Sequence, residues 1–211
     1  MIAEYIKLIA ATILALMVAV ISANAQTYVF KNTPDGDLRT TFTDGRVVFD
    51  EMGPQGLEPK SWHTTFGTIK DGVRTIHSHE GGWITKHMAM IERAKETGEY
   101  VRLECDQLNL ISLMVGCVSA ATMWLGMPRD QMCIGRNARF GFHGATGYGS
   151  KDAPERVTLR RDWSAYMASY YPPKLRRAFL DGGWDGYSGF RMKFITAAEV
   201  KKMDTSIQYC K

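Results

Sequence analysis

Residues 73–103, VRTIHSHEGGWITKHMAMIERAKETGEYVRL, decide the fold that the sequence predicts. Residues 73–78 have strand character, and a Gly-Gly pair shortly after them predicts a tight turn. Apolar side chains then recur at helical spacing over residues 83–97, and residues 100–103 return to strand character. A strand, a helix and a strand in this order form the βαβ unit of a parallel sheet with a right-handed crossover. The stretch therefore predicts an α/β fold.

The segments that flank this unit add further strands and a helix. On the N-terminal side, residues 28–30, 38–42 and 46–49 predict three short strands separated by turn signals, which indicates a β meander. On the C-terminal side, residues 122–125 predict a buried helix and residues 139–143 predict a strand.

The C-terminal third of the chain predicts a loop followed by helices. Residues 144–150 contain three glycines and predict a mobile loop. Pro154 is predicted to open a helix that runs to about residue 170, where a Pro-Pro pair stops it. Thr196 and Glu199, three residues apart, form the signature of a capping box and predict a last short helix.

The first 25 residues predict a secretory signal. An uncharged apolar run follows Lys7, and Ala23-Asn24-Ala25 supplies the small-x-small pattern that a signal peptidase accepts. The alternative is an uncleaved membrane anchor, because the apolar run approaches the minimum length that spans a bilayer. In both cases residues 26–211 are predicted to form a single exported domain, periplasmic or secreted, which meets the membrane only if the segment stays uncleaved.

The composition argues for a globular chain without a nucleic-acid partner. The 211 residues include 26 Lys or Arg and 22 Asp or Glu, which gives a net charge of +4, and 45% are hydrophobic. This hydrophobic fraction excludes a disordered chain. Because the excess positive charge forms no basic block, nothing favours binding to nucleic acid.

The cysteines predict disulfides rather than a metal site. An even number in an exported protein is compatible with two disulfides, for which three pairings are open. The four cysteines are Cys105, Cys117, Cys133 and Cys210. No CxxC or zinc-type spacing occurs among them, so we predict no metal. His77 and His79 alternate along a predicted strand and are interpreted as surface histidines, and His87 belongs to no motif.

A serine and a histidine in the middle of the chain together predict acyl-transfer chemistry. A serine hydroxyl is a poor nucleophile at neutral pH and needs an adjacent base, for which histidine, with a pKa of about 6.5, is suited. Ser119 and His143 are the predicted pair. Acyl transfer also needs N–H donors for the developing oxyanion, and Gly82, in a turn before a helix, is a candidate donor. The Gly-x-Ser-x-Gly elbow of α/β-hydrolases is absent around Ser119.

Three motifs in this order resemble those of the Clp protease proteolytic subunit family, within the ClpP/crotonase-like superfamily. The motifs are Ser-His-Glu-Gly-Gly at residues 78–82, Cys-Val-Ser-Ala-Ala at 117–121 and Phe-Gly-Phe-His at 140–143. The family has a Ser-Pro-Gly-Gly turn, a nucleophilic serine among small residues, and a histidine about two dozen residues later, and here the interval is 24 residues. Residues 194–199 also resemble its C-terminal segment, so the resemblance spans about residues 46–204.

The resemblance implies a fold, a second oxyanion donor and an assembly. The fold is a ClpP/crotonase-like core of repeated β-β-α units with a parallel sheet and C-terminal helices. The N–H of Ala120, immediately after the nucleophile, would be the second donor. The family cleaves peptides or proteins and forms rings, which implies a homo-oligomer. Its ATP-dependent unfoldases work in the cytosol, so none is expected for an exported chain.

The sequence departs from the family pattern at the third member of the triad. The family places an aspartate two residues before the aromatic that aligns with Phe194, and here that position is Met192. Asp185, with Asp181 as the other choice, is predicted to take the place of the acid. Glu80 also stands where the turn usually has proline, and the interval from the turn to the serine is longer than expected.

These observations predict an exported serine hydrolase, a peptidase, that uses no cofactor. Ser119, His143 and Asp185 are its predicted catalytic residues, and Gly82 and Ala120 its predicted oxyanion hole. The alternative is a catalytically weak or inactive ClpP/crotonase-like module for binding or assembly, which Met192 motivates.

Overall fold

The protein is described by a computed structural model that divides into two compact units, Met1–Leu57 and Glu58–Lys211. The described residues are 26–34, 36–43, 46–48, 67–79, 81–82, 84–109, 114–148, 157–187 and 191–211. The predicted signal segment lies outside them. The prediction of a single domain over residues 26–211 stays a prediction.

The first unit contains a three-stranded antiparallel sheet, which confirms the predicted meander. Its strands are β1 (Gln26–Thr33), β2 (Gly36–Thr43) and β3 (Arg46–Val48). Tyr28 and Phe30 are buried while Val29 between them is exposed, as expected for a strand with one covered face.

The second unit is built on a four-stranded sheet with the order β10-β6-β5-β4. The strands are β4 (Thr68–Lys70), β5 (Val73–Ile76), β6 (Tyr100–Leu103) and β10 (Met132–Ile134). Between β6 and β10 in the sequence, β7 (Leu108–Asn109) and β8 (Met114–Val115) form a separate antiparallel pair. β6 pairs in parallel with both β5 and β10, whereas β4 forms a hairpin with β5. Helix α1 (Ile84–Glu96) connects β5 to β6. The predicted βαβ unit and the α/β class are therefore confirmed.

Helix α1 forms because its apolar side chains fall on one face. Met88, Ile91 and Ala94 are at most 1% exposed and follow one another at a spacing of three residues. Two residues after the end of the helix, Gly98 takes a left-handed φ of 67° that a residue with a Cβ rarely adopts.

A second sheet of three strands supports the predicted serine and histidine. Its order is β14-β11-β9, with β9 (Cys117–Val118), β11 (Arg139–Phe142) and β14 (Lys193–Thr196). β9 is parallel to β11, and β14 is antiparallel to it. A buried 3-10 helix, Ser119–Gly126, follows β9 directly. The sequence analysis predicted this helix only in part and did not predict β14.

Two predictions for the region after β11 are wrong. Thr146–Tyr148 is not a loop but strand β12, which pairs antiparallel with β13 (Val157–Leu159). The helix predicted from Pro154 is therefore confined to α2 (Arg161–Ala168), and α3 (Pro173–Asp181) follows it. The physical reason is that Val157 and Thr158 are β-branched and favour extended backbone once a partner strand is available.

The C-terminal helix α4 (Ala197–Met203) confirms the predicted capping box. The Thr196 N–H donates to the Glu199 carboxylate at 2.7 Å, and the Glu199 N–H donates to the Thr196 hydroxyl at 3.3 Å. Both bonds satisfy donors that the first turn of a helix leaves without an intrahelical acceptor.

Two disulfides join the second unit, Cys105–Cys117 and Cys133–Cys210. The first ties the chain after β6 to β9, and the second ties β10 to the C-terminus. They are consistent with an exported protein that matures in an oxidising compartment. In the part of the chain that the structure describes, no helix combines the length and apolarity needed to cross a bilayer.

Candidate functional site

Strand register brings the predicted serine and histidine to one edge of the second sheet. β9 and β11 are parallel, and their last paired residues are Val118 and Gly141. Ser119 follows Val118 directly, and His143 comes two residues after Gly141. Because neighbouring strands lie about 4.8 Å apart, both residues belong to the carboxyl edge of the same strand pair. Contact between their side chains stays a prediction.

Ser119 has a backbone conformation that is uncommon for a residue with a side chain. Its φ is 57°, in the left-handed region, and it begins the 3-10 helix at the end of β9. Such a conformation costs on the order of 1–3 kcal/mol and persists only where the surrounding structure enforces it, typically at functional sites. Among the described residues, none makes a hydrogen bond with its hydroxyl.

A buried pair of hydroxyl groups holds the main chain of Ser119. The Thr122 hydroxyl donates to the Ser119 carbonyl at 2.6 Å and lies 2.6 Å from the Tyr171 hydroxyl. Because a carbonyl only accepts, the Thr122 proton is committed to Ser119 and Tyr171 donates to Thr122. Burial raises the pKa of Tyr171 well above its ordinary value, so this donor keeps its proton throughout the physiological pH range.

The Gly-Gly turn packs directly against the serine. A Cβ placed on Gly81 would lie 2.4 Å from the Ser119 Cβ and 2.7 Å from the Val118 carbonyl oxygen. Gly81 and Gly82 both have positive φ values, 89° and 105°. A glycine is therefore required at position 81 both for the backbone conformation and for the close approach.

The two predicted oxyanion donors are the residues that directly follow the two partners of this contact in the sequence. Gly82 follows Gly81 in the turn, and Ala120 follows Ser119 at the start of the 3-10 helix. The N–H groups in the first turn of a helix have no intrahelical acceptor. No described residue accepts a hydrogen bond from the N–H of Gly82.

His143 is buried and held in one tautomer. Its side chain is 9% exposed, and its Nδ1 lies 2.6 Å from the Gly144 carbonyl oxygen. Because the carbonyl only accepts, Nδ1 carries the proton and Nε2 carries a lone pair. Burial lowers the pKa of the imidazole below 6.5, partly opposed by the bond to Gly144. At neutral pH the ring is therefore uncharged, as a general base must be.

Asp185 lies beside this segment through its main chain. A Cβ on Gly144 would lie 2.0 Å from the Asp185 carbonyl oxygen, and the Gly144 N–H donates to the Tyr187 carbonyl at 2.9 Å. No hydrogen bond among the described residues joins the Asp185 carboxylate to His143. The assignment of Asp185 as the acid stays a prediction.

Met192 lies against the strand that leads to His143. Its sulfur would be 3.2 Å from a Cβ placed on Gly141. Met192 is the residue at which the predicted resemblance to the Clp family expects a carboxylate, and its thioether packs against β11.

The prediction that His79 is a surface residue is wrong, and the role of His87 was missed. His79 and His87 are 3% and 0% exposed, whereas His77 is exposed as predicted. His79 is buried because it forms a parallel bridge with Cys117, which places it beside β9. His87 could have been suspected, because helical spacing from Ile91 places it on the apolar face of α1.

Both buried histidines bind the turn glycine. The Gly81 N–H donates to His79 Nδ1 at 3.0 Å, and His87 Nε2 donates to the Gly81 carbonyl at 3.1 Å. The two rings meet edge to face with their centroids 4.7 Å apart. These contacts link α1 to the turn that packs against Ser119.

Among the described residues, no group of three His, Cys, Asp or Glu side chains is placed to hold a metal ion.

Replacement of Gly81 by alanine tests the close approach to Ser119. Gly81→Ala is expected to lower the free energy of unfolding by about 3 kcal/mol or more, because the new Cβ would overlap neighbouring atoms and the residue would also be strained by its left-handed φ. Gly72→Ala is the matched control, since Gly72 has a φ of 74° but open space around its Cβ position. The control should lose only about 1–2 kcal/mol in urea denaturation. Equal losses for the two variants would contradict the packing.

The burial of His79 predicts a loss of stability in acid. Burial lowers the pKa of His79 from 6.5 to about 4. As the pH falls through this interval, the unfolded chain binds a proton that the folded protein does not, so folding weakens by about 3 kcal/mol between pH 7 and pH 4. In His79→Asn, the Oδ1 can accept the Gly81 N–H without titrating. Urea denaturation should show a smaller dependence on pH in the variant than in the wild type, and an equal dependence would refute the assignment.

Comparison with protein-family models, with curated proteins and with solved structures found no match to the chain. The resemblance to the Clp protease proteolytic subunit family stays a prediction from the sequence motifs. The functional assignment rests on the residues and their geometry.

Proposed function

We propose that the protein is an exported serine hydrolase, a peptidase with a ClpP/crotonase-like core, in which Ser119 is the nucleophile and His143 the base. The observation that carries the proposal is the left-handed conformation of Ser119 at the end of β9, next to the strand that leads to His143. Left-handed non-glycine residues at such a position are held there at a cost, which favours a functional explanation.

In the proposed reaction, His143 Nε2 takes the proton of Ser119 Oγ as this oxygen attacks the carbonyl carbon of the peptide bond. The N–H groups of Gly82 and Ala120 bind the oxyanion of the tetrahedral intermediate. The C–N bond then breaks, and the proton on Nε2 passes to the leaving amine. A water molecule, deprotonated by Nε2, hydrolyses the acyl-enzyme and restores both side chains.

The Gly144 carbonyl takes the orienting role that a carboxylate has in a triad. Its hydrogen bond to Nδ1 fixes the tautomer in which Nε2 is the base. A carbonyl dipole stabilises the imidazolium less than a full negative charge does, so we infer a slower enzyme than one with a complete triad. Asp185 can act as the acid only if its carboxylate replaces Gly144 at Nδ1.

The main-chain acceptor at His143 Nδ1, in place of a carboxylate, favours a second candidate function. A ClpP/crotonase-like module that only binds or assembles has no need of a carboxylate at His143, and none makes a hydrogen bond there among the described residues. In this candidate the strained serine turn would be a structural remnant without turnover.

The compartment and the partners belong to the proposal as well. The two disulfides and the predicted signal segment support export to the periplasm or beyond. Peptides or proteins are the proposed substrates, a homo-oligomeric ring is the proposed assembly, and no ATP-dependent unfoldase takes part.

A fluorophosphonate, which reacts with activated serines, tests the function. The folded mature protein should be labelled at Ser119, as located by peptide mass mapping. Ser119→Ala should abolish labelling, and His143→Ala should slow it by about 100-fold or more, because the base is lost. Ser169→Ala, which removes an exposed hydroxyl, is the matched control and should label like the wild type. A well-folded wild type that resists labelling would instead support the binding module.

Replacement of the Asp185 carboxylate by a carboxamide tests which group orients His143. Asp185→Asn should slow labelling by less than about tenfold, because the hydrogen bond of Nδ1 goes to the Gly144 carbonyl, whereas loss of a triad acid typically costs about 10⁴-fold. Asp181→Asn, in the same glycine-rich stretch, is the control. A loss near 10⁴-fold confined to Asp185→Asn would establish Asp185 as the acid and exclude the carbonyl as sufficient.

A further inference from the structure

The Gly81 carbonyl and the Gly82 N–H belong to one peptide unit. Because a trans peptide is planar, its C=O and N–H bonds point in opposite directions. Any contact that fixes the carbonyl therefore fixes the direction of the N–H. Neither glycine has a Cβ to hinder rotation of this unit, so the turn has little intrinsic preference for one orientation.

His87 supplies the contact that fixes the carbonyl. Its Nε2 donates to the Gly81 carbonyl at 3.1 Å, and its Nδ1 accepts from the Trp124 indole N–H at 3.1 Å. Because the carbonyl only accepts and the indole only donates, both ring nitrogens are committed to a single neutral tautomer. All three groups are buried, so a lost partner would leave an unsatisfied polar group in the core.

His79 holds the other side of Gly81. It accepts the Gly81 N–H at its Nδ1, while its own main chain bonds to both neighbours of Cys117. These backbone bonds run from the His79 N–H to the Gly116 carbonyl at 3.1 Å and from the Val118 N–H to the His79 carbonyl at 2.8 Å. The turn is therefore attached to the strand that leads to Ser119 as well as to α1.

We propose that His87 is a positioning residue, which pulls the Gly81 carbonyl into the core and thereby directs the Gly82 N–H away from the core, toward the oxyanion that forms at Ser119. This inference rests on the proposed function, because it assigns the Gly82 N–H as an oxyanion donor. His79 and Trp124 are its supports: His79 anchors the preceding N–H of Gly81, and Trp124 fixes the tautomer of His87.

The histidine pair is held in an environment that opposes charging. Burial lowers the pKa of both rings, and the adjacent His79 and Lys86 lower the pKa of His87 further. The Arg74 guanidinium lies 5.6 Å from the centre of the Trp124 ring, and Glu99 is its ion-pair partner. A proton on His87 Nδ1 would face the indole N–H of Trp124, so the neutral form is the one that holds the turn.

Two substitutions separate this role from simple packing. His87→Phe keeps an aromatic ring but gives the Gly81 carbonyl no donor, and His87→Gln restores a donor through its side-chain amide. Ile91→Val trims the same buried face of α1 without removing a polar group and is the control. Each variant is examined as the full mature protein, first by the amide resonance of Gly82 in ¹H–¹⁵N spectra and then by the rate of fluorophosphonate labelling at saturating reagent.

We expect His87→Phe to shift the Gly82 resonance and to lower the saturated labelling rate by about 100-fold, as for loss of one oxyanion donor. The reagent concentration that gives half of the saturated rate should be nearly unchanged. His87→Gln should recover most of the rate and a resonance near that of the wild type. A folded His87→Phe with an unshifted Gly82 resonance and the wild-type rate would overturn the proposal.

The spectra also separate failure of this inference from failure of the proposed function. If the wild type is not labelled, the hydrolase proposal fails, and the Gly82 resonance alone decides whether His87 orients the peptide. If His87→Phe does not fold, the protonation of the His87 ring in the wild-type protein tests the proposal instead. A slowly exchanging Nε2 proton on a neutral His87 ring supports the proposal, whereas the Nδ1-protonated tautomer or a charged ring refutes it.

Discussion

The parallel pairing of β9 with β11 is the interaction on which the site depends. β9 has only two residues, Cys117 and Val118, yet it carries the serine at one end and a disulfide at the other. Its pairing with β11 brings the serine and the histidine to the same carboxyl edge of the sheet. A shift of β9 by one residue would change the position of Ser119 relative to His143, so this short register sets the geometry of the proposed pair.

Buried polar groups, rather than apolar contacts alone, shape the chain on both sides of Ser119. Thr122 and Tyr171 hold its carbonyl, and the two histidines hold the glycine that packs against it. Each of these hydrogen bonds contributes little net stability in isolation, but an unsatisfied group in the core is costly. These hydrogen bonds, all satisfied together, therefore favour a single backbone path on both sides of Ser119.

Local patterns explain what the sequence could predict. The βαβ unit was predicted because strand character and helical spacing can each be recognised within one short segment of the sequence. The capping box was predicted because Thr196 and Glu199 lie three residues apart. β14 was missed because three of its four side chains are exposed, so it lacks the alternation of a half-buried strand. His87 forms its hydrogen bonds with Gly81 and Trp124, which lie far from it or in a turn, and the acceptor for His143 Nδ1 is a main-chain carbonyl. Contacts of these kinds leave no pattern in the sequence.

The accessibility of the disulfide Cys105–Cys117 to a reductant reports on local opening of the fold beside the site. Both cysteines are at most 1% exposed, and Cys117 lies two residues before Ser119. Thiol–disulfide exchange requires a thiolate to reach one of the sulfurs, so a reductant can act only on molecules in which the chain around Cys105 or Cys117 has opened. The speed at which this bond is reduced in the native protein therefore measures how often the fold opens where β9 is tied to the chain after β6.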